Sequence, residues 1–581
     1  MVSKRSSSSE TVCWHRRAGV LVLAILAGAL VLLIGVAVAG ASAPRAEGPV
    51  LNAKALQKVL DAEALPTLKL LPVTATSHPF NGAAWQNKPI DLAKYGYVEK
   101  EYLVSGTSNV YDWVANSDFA TRIMASGPYT TRIMVRRPAN MKTWSGRVVV
   151  EMINTSAGYD WTAIWSALWQ SILAHHDVYV GITAKAAVFP ALQTFDATRY
   201  AKLAMANPLP LAERQGTTPG AADYDPNFST AYENGLTWDI ATQVGRLLKS
   251  SGVHNPLGAP ARLVVLTGES QQANWLVSYY KWFTPAAYLK DGKPIFNGYL
   301  AECFTDVNPQ TPYYPGTASI DLPMFVTWPI NQEAPISDPL PASDPQLGWL
   351  PARAVPWISL NSDWDYAAAR GFAQPKDYDT ATHKAIFWQL AGANHGWAWQ
   401  YLYGDADKTD LLKAGFYDPS TYDWFTTPNN PEVPLYMAEK AAYGDLLQWI
   451  TMGTRPPEPM MLDSKPNDPS IGFGIFRDST YKDAYGNAKG GLRLPMIAVP
   501  VCSYGEGHYI LTPPSGLAEI VPFTPYQLAE LYSSKADYVA RYRAVAMKLV
   551  KEHYLLRSDA LKLIAQANEV SDFPSTYGPK Q

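Results

Sequence analysis

Two hydrophobic periodicities alternate along the middle of this chain. Short, nearly continuous apolar runs occupy residues 146–154 (GRVVVEMIN) and 177–184 (DVYVGITA), a pattern typical of strands that are buried on both faces. Between them, residues 161–176 carry apolar side chains at helical spacing, and residues 235–250 repeat that pattern before the apolar run at 263–268 (LVVLTG). This order of elements predicts an α/β fold with a mostly parallel sheet and helices on both faces.

Five further segments have the character of strands. They lie at residues 95–106, 129–138, 296–303, 355–362 and 383–392. The gaps at 185–235 and 304–354 are rich in Pro and polar residues and are too long for plain connections. We therefore expect two insertions at the functional edge of the sheet.

The segments before and after this core have a different character. Residues 44–90 are predicted to be a connector with one short helix near Ala53–Leu65. The domain then runs from 91 to 581, with its core ending near 404. Residues 405–581 contain a predicted helix at 435–453 and another that begins at the N-cap Thr524, so we expect a peripheral, helical C-terminal extension.

The first 43 residues have the features of an export leader. Basic residues precede an uncharged apolar run from Ala18 to Ala39, and small residues follow it. The run is also about 20 residues long, which is enough to span a bilayer. A signal peptide cut after Ala39 or near Ala43 and an uncleaved signal-anchor both remain open, and either predicts export to the periplasm, the medium or the membrane surface.

Composition and charge narrow the class of protein. Apolar residues make up 47% of the chain, which is enough for a sizeable core, and the formal net charge is only −3. Such a balance gives no reason to expect a nucleic-acid partner. The abundance of Trp, Tyr and Pro with few charges fits a loop-rich secreted enzyme better than a helical cytosolic one.

Cysteines and histidines give no metal-binding pattern. Beyond the leader only Cys303 and Cys502 remain, and an oxidising compartment permits either a disulfide between them or two buried thiols. There is no CxxC or HExxH motif, and His175 and His176 are expected to be surface or packed residues. We therefore predict no metal and no cofactor.

A serine follows the apolar run at 263–268. Thr267-Gly268-Glu269-Ser270 leads directly into a helical segment, as in a strand-to-helix turn that exposes a nucleophile. Ser270 is the predicted nucleophile, and its alternative role is to cap the following helix. A G-x-S-x-G elbow ends in Gly, whereas this chain has Gln272 at that position.

An acid and a base follow two later strands in the order that an α/β-hydrolase requires. Asp365 comes after the strand at 355–362, and His395 comes after the strand at 383–392. Three strand ends carrying Ser, Asp and His in this order predict a Ser-His-Asp triad. The runner-up acid is Asp363; less favoured alternatives are the acids Glu302 and Asp306 and the base His508.

The predicted oxyanion hole uses two backbone N–H groups. One belongs to Gln271, the residue after the nucleophile. The second comes from the loop NTSAGYD at 154–160, with Thr155 or Ser156 as the donor.

Taken together, these segments resemble a known family. The chain is similar to bacterial alpha/beta-hydrolase-domain proteins with a G-x-S-Q elbow, through stretches that include GRVVVEMINTSAGYDW, GESQ, VPWISLNSDWD and WQLAGANHGW. The resemblance runs from about Tyr95 to the C-terminus, and it implies an α/β-hydrolase fold and serine esterase activity, with the triad roles on Ser270, Asp365 and His395. The family usually has a small residue where this chain has Gln272.

The sequence thus predicts an exported serine hydrolase acting on a small-molecule carboxylic ester. Two alternatives remain open: an amidase or peptidase with the same triad, and a non-catalytic binding protein on the same fold. Aromatic residues near the predicted site suggest an apolar or ring-bearing substrate, although they could equally be core residues: Trp161, Trp364, Trp397 and Trp399.

Overall fold

The computed structural model describes the chain from residue 49 to residue 573, with internal gaps. The gaps are 115–116, 118, 211–230, 304–349, 364, 366–377, 396–397, 417–432, 466–478, 505–519 and 572. The predicted leader, residues 211–230 of the first predicted insertion, most of the second insertion, and Asp306 and His508 therefore lie outside the described residues. Within the described ranges, no helix combines the length and the apolar character needed to cross a membrane.

A ten-stranded mixed sheet forms the centre of the domain. Its strands are β1 Val50–Leu51, β2 Thr67–Leu71, β3 Tyr97–Trp113, β4 Thr121–Pro138, β5 Arg147–Ile153, β6 Val178–Thr183, β7 Leu263–Glu269, β8 Gly298–Glu302, β9 Trp357–Ser362 and β10 Ala385–Leu390. The order is β10-β9-β8-β7-β5-β6-β4-β3-β2, with β1 paired to β4. Strands β5 to β10 pair in parallel and the other pairs are antiparallel.

Alternate residues of the parallel strands pack into two separate cores. Val148 and Val150 of β5 belong to one core, whereas Val149 between them belongs to the other. In β7, Val264 and Leu266 belong to the first core, whereas Val265 between them belongs to the second. Because successive side chains of a strand point to opposite faces, the sheet is covered on both sides, which confirms the predicted α/β fold.

Twelve α-helices lie in the described ranges. They are α1 Ala53–Ala62, α2 Ala163–Ala174, α3 Phe189–Phe195, α4 Thr237–Leu248, α5 Gln271–Ser278, α6 Ala398–Gly404, α7 Lys408–Lys413, α8 Leu435–Met452, α9 Pro495–Ala498, α10 Pro525–Leu531, α11 Lys535–Lys551 and α12 Arg557–Glu569. Helix α5 continues as a π-helical turn over Tyr279–Phe283. Helices α2 and α8 contribute to one core, and α4 and α5 contribute to the other.

The described residues 49–90 of the predicted connector contribute two strands to the sheet. Strand β2 pairs with β3 along its whole length, and β1 pairs with β4. The sequence of β2 (TLKLL) has no clear alternation because this edge strand is mostly exposed on both sides. Its position depends on backbone hydrogen bonds to β3, which hydrophobic patterning does not report.

The C-terminal region packs directly against the sheet, whereas the sequence predicted a peripheral extension. Helix α8 covers strands β8 and β9, as its contacts with both show. Beyond it, Met460 and Leu492 make backbone bridges to Trp388 and Leu390 of β10, so this region also covers the outer edge of the sheet. Covering an edge strand satisfies backbone groups that are otherwise open to pairing with another chain.

Candidate active site

Ser270 occupies a strained turn between β7 and α5. Its backbone has φ 53° and ψ −119°, a conformation that residues other than glycine rarely adopt. The Ser270 N–H donates to the carbonyl of Glu302 at 2.8 Å, which ties the turn to the end of β8. The Ser270 side chain makes no capping hydrogen bond to α5, so Ser270 does not have the helix-capping role that was its alternative.

The turn requires glycine at position 268 and accommodates glutamine at position 272. A Cβ atom on Gly268 would lie 2.6 Å from the carbonyl oxygen of Gln272, so the backbones of β7 and α5 meet there without room for a side chain. The Gln272 side chain is fully buried, and neither its Nε2 nor its Oε1 has a hydrogen-bond partner among the described residues. The elbow therefore forms with glutamine at this position, at the cost of a buried, unpaired amide.

His395 lies next to the Ser270 hydroxyl. It follows β10 on a short loop in which Gly392 has φ 70°. The Nε2 atom of His395 lies 2.9 Å from Ser270 Oγ. The imidazole is mostly covered, with 13% of its side chain exposed.

Asp365 holds the other side of the imidazole. Its Oδ1 lies 2.6 Å from His395 Nδ1, and its Oδ2 accepts hydrogen bonds from the N–H and the hydroxyl of Ser362. Burial by itself raises the pKa of Asp365, but His395 and the Ser362 hydroxyl outweigh it and hold that pKa below its ordinary value. The carboxylate is therefore ionised and accepts from Nδ1–H, which leaves Nε2 to accept from the Ser270 hydroxyl.

Asp363, the runner-up acid, contacts other groups. Its Oδ1 accepts from the Thr480 hydroxyl at 2.9 Å, and its Oδ2 lies 3.3 Å from Lys482 Nζ. The Gly392 N–H also donates to Oδ2. Through these contacts Asp363 links the loop that carries His395 to the C-terminal region. The imidazole is held by Asp365 instead.

Glu302, a less favoured acid, is paired with a second glutamate. Burial and the neighbouring Glu439 carboxyl raise the pKa of Glu302 well above its ordinary value. Burial also raises the pKa of Glu439, to about 8. Two buried carboxyls in contact cannot both ionise at low cost, so this pair is held mainly in its protonated form beneath the turn.

Cys303 also lies at the site, although the sequence indicated it only as a disulfide candidate or a buried thiol. It follows β8 with φ 53°, and its Sγ and ligand atoms of Asp365 and His395 all lie within 4.8 Å of one another. A metal ion bound there would occupy Asp365 and His395, the predicted acid and base. Burial raises the pKa of the Cys303 thiol well above its ordinary value, and Cys303 and Cys502 are both free, buried thiols without a disulfide.

The predicted oxyanion loop approaches the turn from β5. Asn154 and Trp161 exchange backbone hydrogen bonds and close the loop. The Ser156 N–H donates to Asn154 Oδ1 at 2.8 Å, so this candidate donor is already engaged. The Thr155 N–H makes no hydrogen bond within the part of the chain that the structure describes, and its side chain contacts Gln271, the first residue of α5.

Of the four aromatic residues named from the sequence, Trp161 and Trp399 lie in the part of the chain that the structure describes. Trp399 stacks on Tyr436 with ring centroids 4.4 Å apart, and its Nε1–H donates to the carbonyl of Ser166. It therefore packs within the protein. Trp364 and Trp397 lie outside the described residues, so the predicted preference for a ring-bearing substrate rests on the sequence.

Comparison with known proteins identifies a family. A family model described as "Alpha/beta hydrolase domain" matches residues 64–565. The sequence has no significant match among curated proteins.

Several solved structures match this chain at low sequence identity and low TM-score. A lipase/esterase from Lactobacillus plantarum is 9% identical over 40% of this chain and 75% of its own, with a TM-score of 0.23. Acetyl xylan esterase 1 from Thermoanaerobacterium sp. JW/SL YS485 is 8% identical over 53% and 76%, with a TM-score of 0.25. The glucuronoyl esterase from Solibacter usitatus is 10% identical over 53% and 74%, with a TM-score of 0.23.

Proposed function

This chain belongs to the alpha/beta hydrolase domain family, and from that premise we propose that it is an exported serine hydrolase that cleaves carboxylic esters. The proposal is carried by one observation. Ser270 Oγ, both ring nitrogens of His395 and Asp365 Oδ1 form a continuous hydrogen-bonded relay, with separations of 2.9 and 2.6 Å. This is the arrangement that converts a neutral hydroxyl into a nucleophile.

The proposed reaction proceeds in two halves. Ser270 Oγ attacks the ester carbonyl while His395 Nε2 takes its proton, and the ionised Asp365 stabilises the imidazolium that forms. The N–H groups of Thr155 and Gln271 would bind the negative oxygen of the tetrahedral intermediate. His395 then gives the proton to the leaving alcohol, and a water activated by the same imidazole releases the acid from the acyl-enzyme.

The N-terminal half of α5 adds to this arrangement. The helix begins at Gln271, immediately after the nucleophile, so its positive dipole end lies at the site where negative charge develops. This favours the intermediate over the neutral ester, which is the requirement for an effect on rate.

The decisive test compares Ser270→Ala with the wild type. Wild-type protein should bind a fluorophosphonate probe covalently and hydrolyse p-nitrophenyl acetate, and Ser270→Ala should lose both. Ser278→Ala, at the other end of α5, is a matched control that should retain both. Labelling that survives in Ser270→Ala would refute the assignment.

Two further outcomes separate the alternatives. Cleavage of p-nitroanilides at rates comparable with the esters would identify an amidase or peptidase. A folded wild-type protein that neither binds the probe nor cleaves either substrate would indicate a binding protein on this fold.

Export is proposed from residues 1–43, on the basis of their basic and apolar pattern. Expression of the full chain in a bacterium, followed by fractionation and N-terminal sequencing, tests it. A signal peptide predicts a new N-terminus after Ala39 or near Ala43, and an anchor predicts full-length protein that detergent releases from membranes. Full-length protein in the cytosol would contradict export.

A further inference from the structure

Two side-chain contacts join the oxyanion loop to the residues on either side of the nucleophile. Before Ser270, Glu269 Oε2 accepts a hydrogen bond from Asn154 Nδ2 at 2.5 Å. After Ser270, Gln271 Oε1 accepts from the Thr155 hydroxyl at 2.9 Å. All four side chains are buried, so neither contact is exchanged with bulk water.

Asn154 uses every polar group it has to hold this arrangement. Its Nδ2 donates to the side chain of Glu269 and, at 3.3 Å, to the backbone carbonyl of Glu269. Its Oδ1 accepts from the Ser156 N–H, and its backbone pairs with Trp161 across the loop. Opposite the carboxyl group of Glu269, position 154 needs an amide with one donor end and one acceptor end, because a carboxylate lacks the donor and an apolar side chain lacks both.

The Asn154–Glu269 hydrogen bond is buried, and hydrogen bonds are electrostatically stronger in a low-dielectric interior than in water. Glu269 Oε1 also lies 3.9 Å from His395 Nε2, the ring nitrogen that exchanges its proton with Ser270. The contact therefore connects the loop, the turn and the base of the site.

We propose that Asn154 and Glu269 are a positioning pair that aligns the Thr155 N–H with the oxygen on which negative charge develops. The inference rests on the proposed function. Oxyanion donors act only when they are held close to the position of the transition-state oxygen, because small displacements remove much of their effect. Fixing the loop to the residue that precedes the nucleophile sets the distance between donor and nucleophile directly.

A reciprocal exchange of the two residues tests the pair. Asn154→Asp places two carboxyl groups in contact and removes the amide donor, so kcat should fall by about 100-fold, the effect of losing one oxyanion donor, with little change in KM. Affinity for a trifluoromethyl ketone, which forms a tetrahedral adduct on the serine, should fall by a similar factor. Glu269→Gln is the second single variant.

The double variant Asn154→Asp, Glu269→Gln restores an amide donor opposite a carboxyl acceptor, with the two side-chain types exchanged. We expect it to recover at least tenfold in kcat and in inhibitor affinity relative to Asn154→Asp. If the pair had a merely structural role, exchanging the two residues would not restore affinity for the transition-state analogue. Asn487→Asp is the matched control, because Asn487 is a buried amide with contacts to Cys502 and Tyr504 away from the site, and its kcat should match the wild type.

Three outcomes overturn the proposal. The first is a double variant whose fold-losses in kcat and in inhibitor affinity equal the product of the losses in the two single variants. The second is an Asn154→Asp variant that loses kcat but keeps its inhibitor affinity. The third is wild-type protein without Ser270-dependent turnover, which also refutes the proposed function, whereas the first two leave it intact. If Asn154→Asp does not fold, Thr155→Val removes the second contact, and unchanged inhibitor affinity in that variant counts against positioning of the loop.

Discussion

The Nδ1 atom of His395 lies 2.6 Å from Oδ1 of Asp365, although Asp363 is only two residues away in the same segment. The relationship predicts which aspartate matters for activity. Asp365→Asn should lower kcat by about 10⁴-fold, because the amide favours the wrong tautomer of the imidazole and cannot stabilise its charged form. The pH-dependence of kcat and the rate of fluorophosphonate labelling measure the effect.

Asp363→Asn is the matched control for that prediction. Its partners are Thr480, Lys482 and the Gly392 N–H, so the substitution should lower the unfolding temperature and change kcat far less. A larger loss of kcat in Asp363→Asn than in Asp365→Asn would reverse the assignment of the acid.

Glu439→Gln should change how stability depends on pH. The pKa of Glu439 is raised by burial from 4.5 to about 8, so the folded protein binds more protons than the unfolded chain between these values. The free energy of unfolding therefore falls as pH rises from about 5 to 8, and removing the titrating group should flatten this fall. Melting curves at pH 5, 6, 7 and 8 measure it, with the exposed Glu552→Gln as control. Parallel pH profiles for Glu439→Gln and wild type would exclude the effect.

Gly268→Ala should disrupt the nucleophile turn. The added Cβ would lie 2.6 Å from the carbonyl oxygen of Gln272, a backbone atom that cannot move without displacing α5. Overpacking of this kind costs about 1–3 kcal/mol, and labelling of Ser270 should slow at the same time. Gly444→Ala is the contrasting variant, because a Cβ there meets nothing within 4 Å on helix α8 and should add about 1 kcal/mol of stability. Urea unfolding of both variants gives the comparison, and a stable, fully reactive Gly268→Ala would show that the turn has room.

Gln272→Met should stabilise the protein. The glutamine amide is buried with both polar atoms unpaired, and methionine fills a similar volume without that penalty. We expect a gain of about 1 kcal/mol in the free energy of unfolding and unchanged labelling of Ser270. Gln272→Glu, which adds a charge to the same space, should act in the opposite direction. A loss of stability in Gln272→Met would indicate that an internal water satisfies the amide.

The parallel half of the sheet could be predicted because its pattern is local. Each of β5 to β10 is a short apolar run, and the turns after β7, β9 and β10 carry polar residues in a recognisable order. Strand β2 shows the opposite case, since most of its side chains are exposed and only pairing with β3 defines it. Thr480 and Lys482 likewise reach Asp363 from a distant segment whose contacts no local pattern reports.

By itself, the sequence determined the α/β fold, the strand ends that carry Ser270, Asp365 and His395, and the loop expected to face them. Tertiary structure decided the contact of Asp365 rather than Asp363 with the imidazole, the engagement of the Ser156 N–H within its own loop, and the pairing of Asn154 with Glu269, 115 positions apart. The physical reason is that periodicity and turn chemistry depend on neighbouring residues. Hydrogen-bond partners depend on how separate strands are brought to one edge of the sheet.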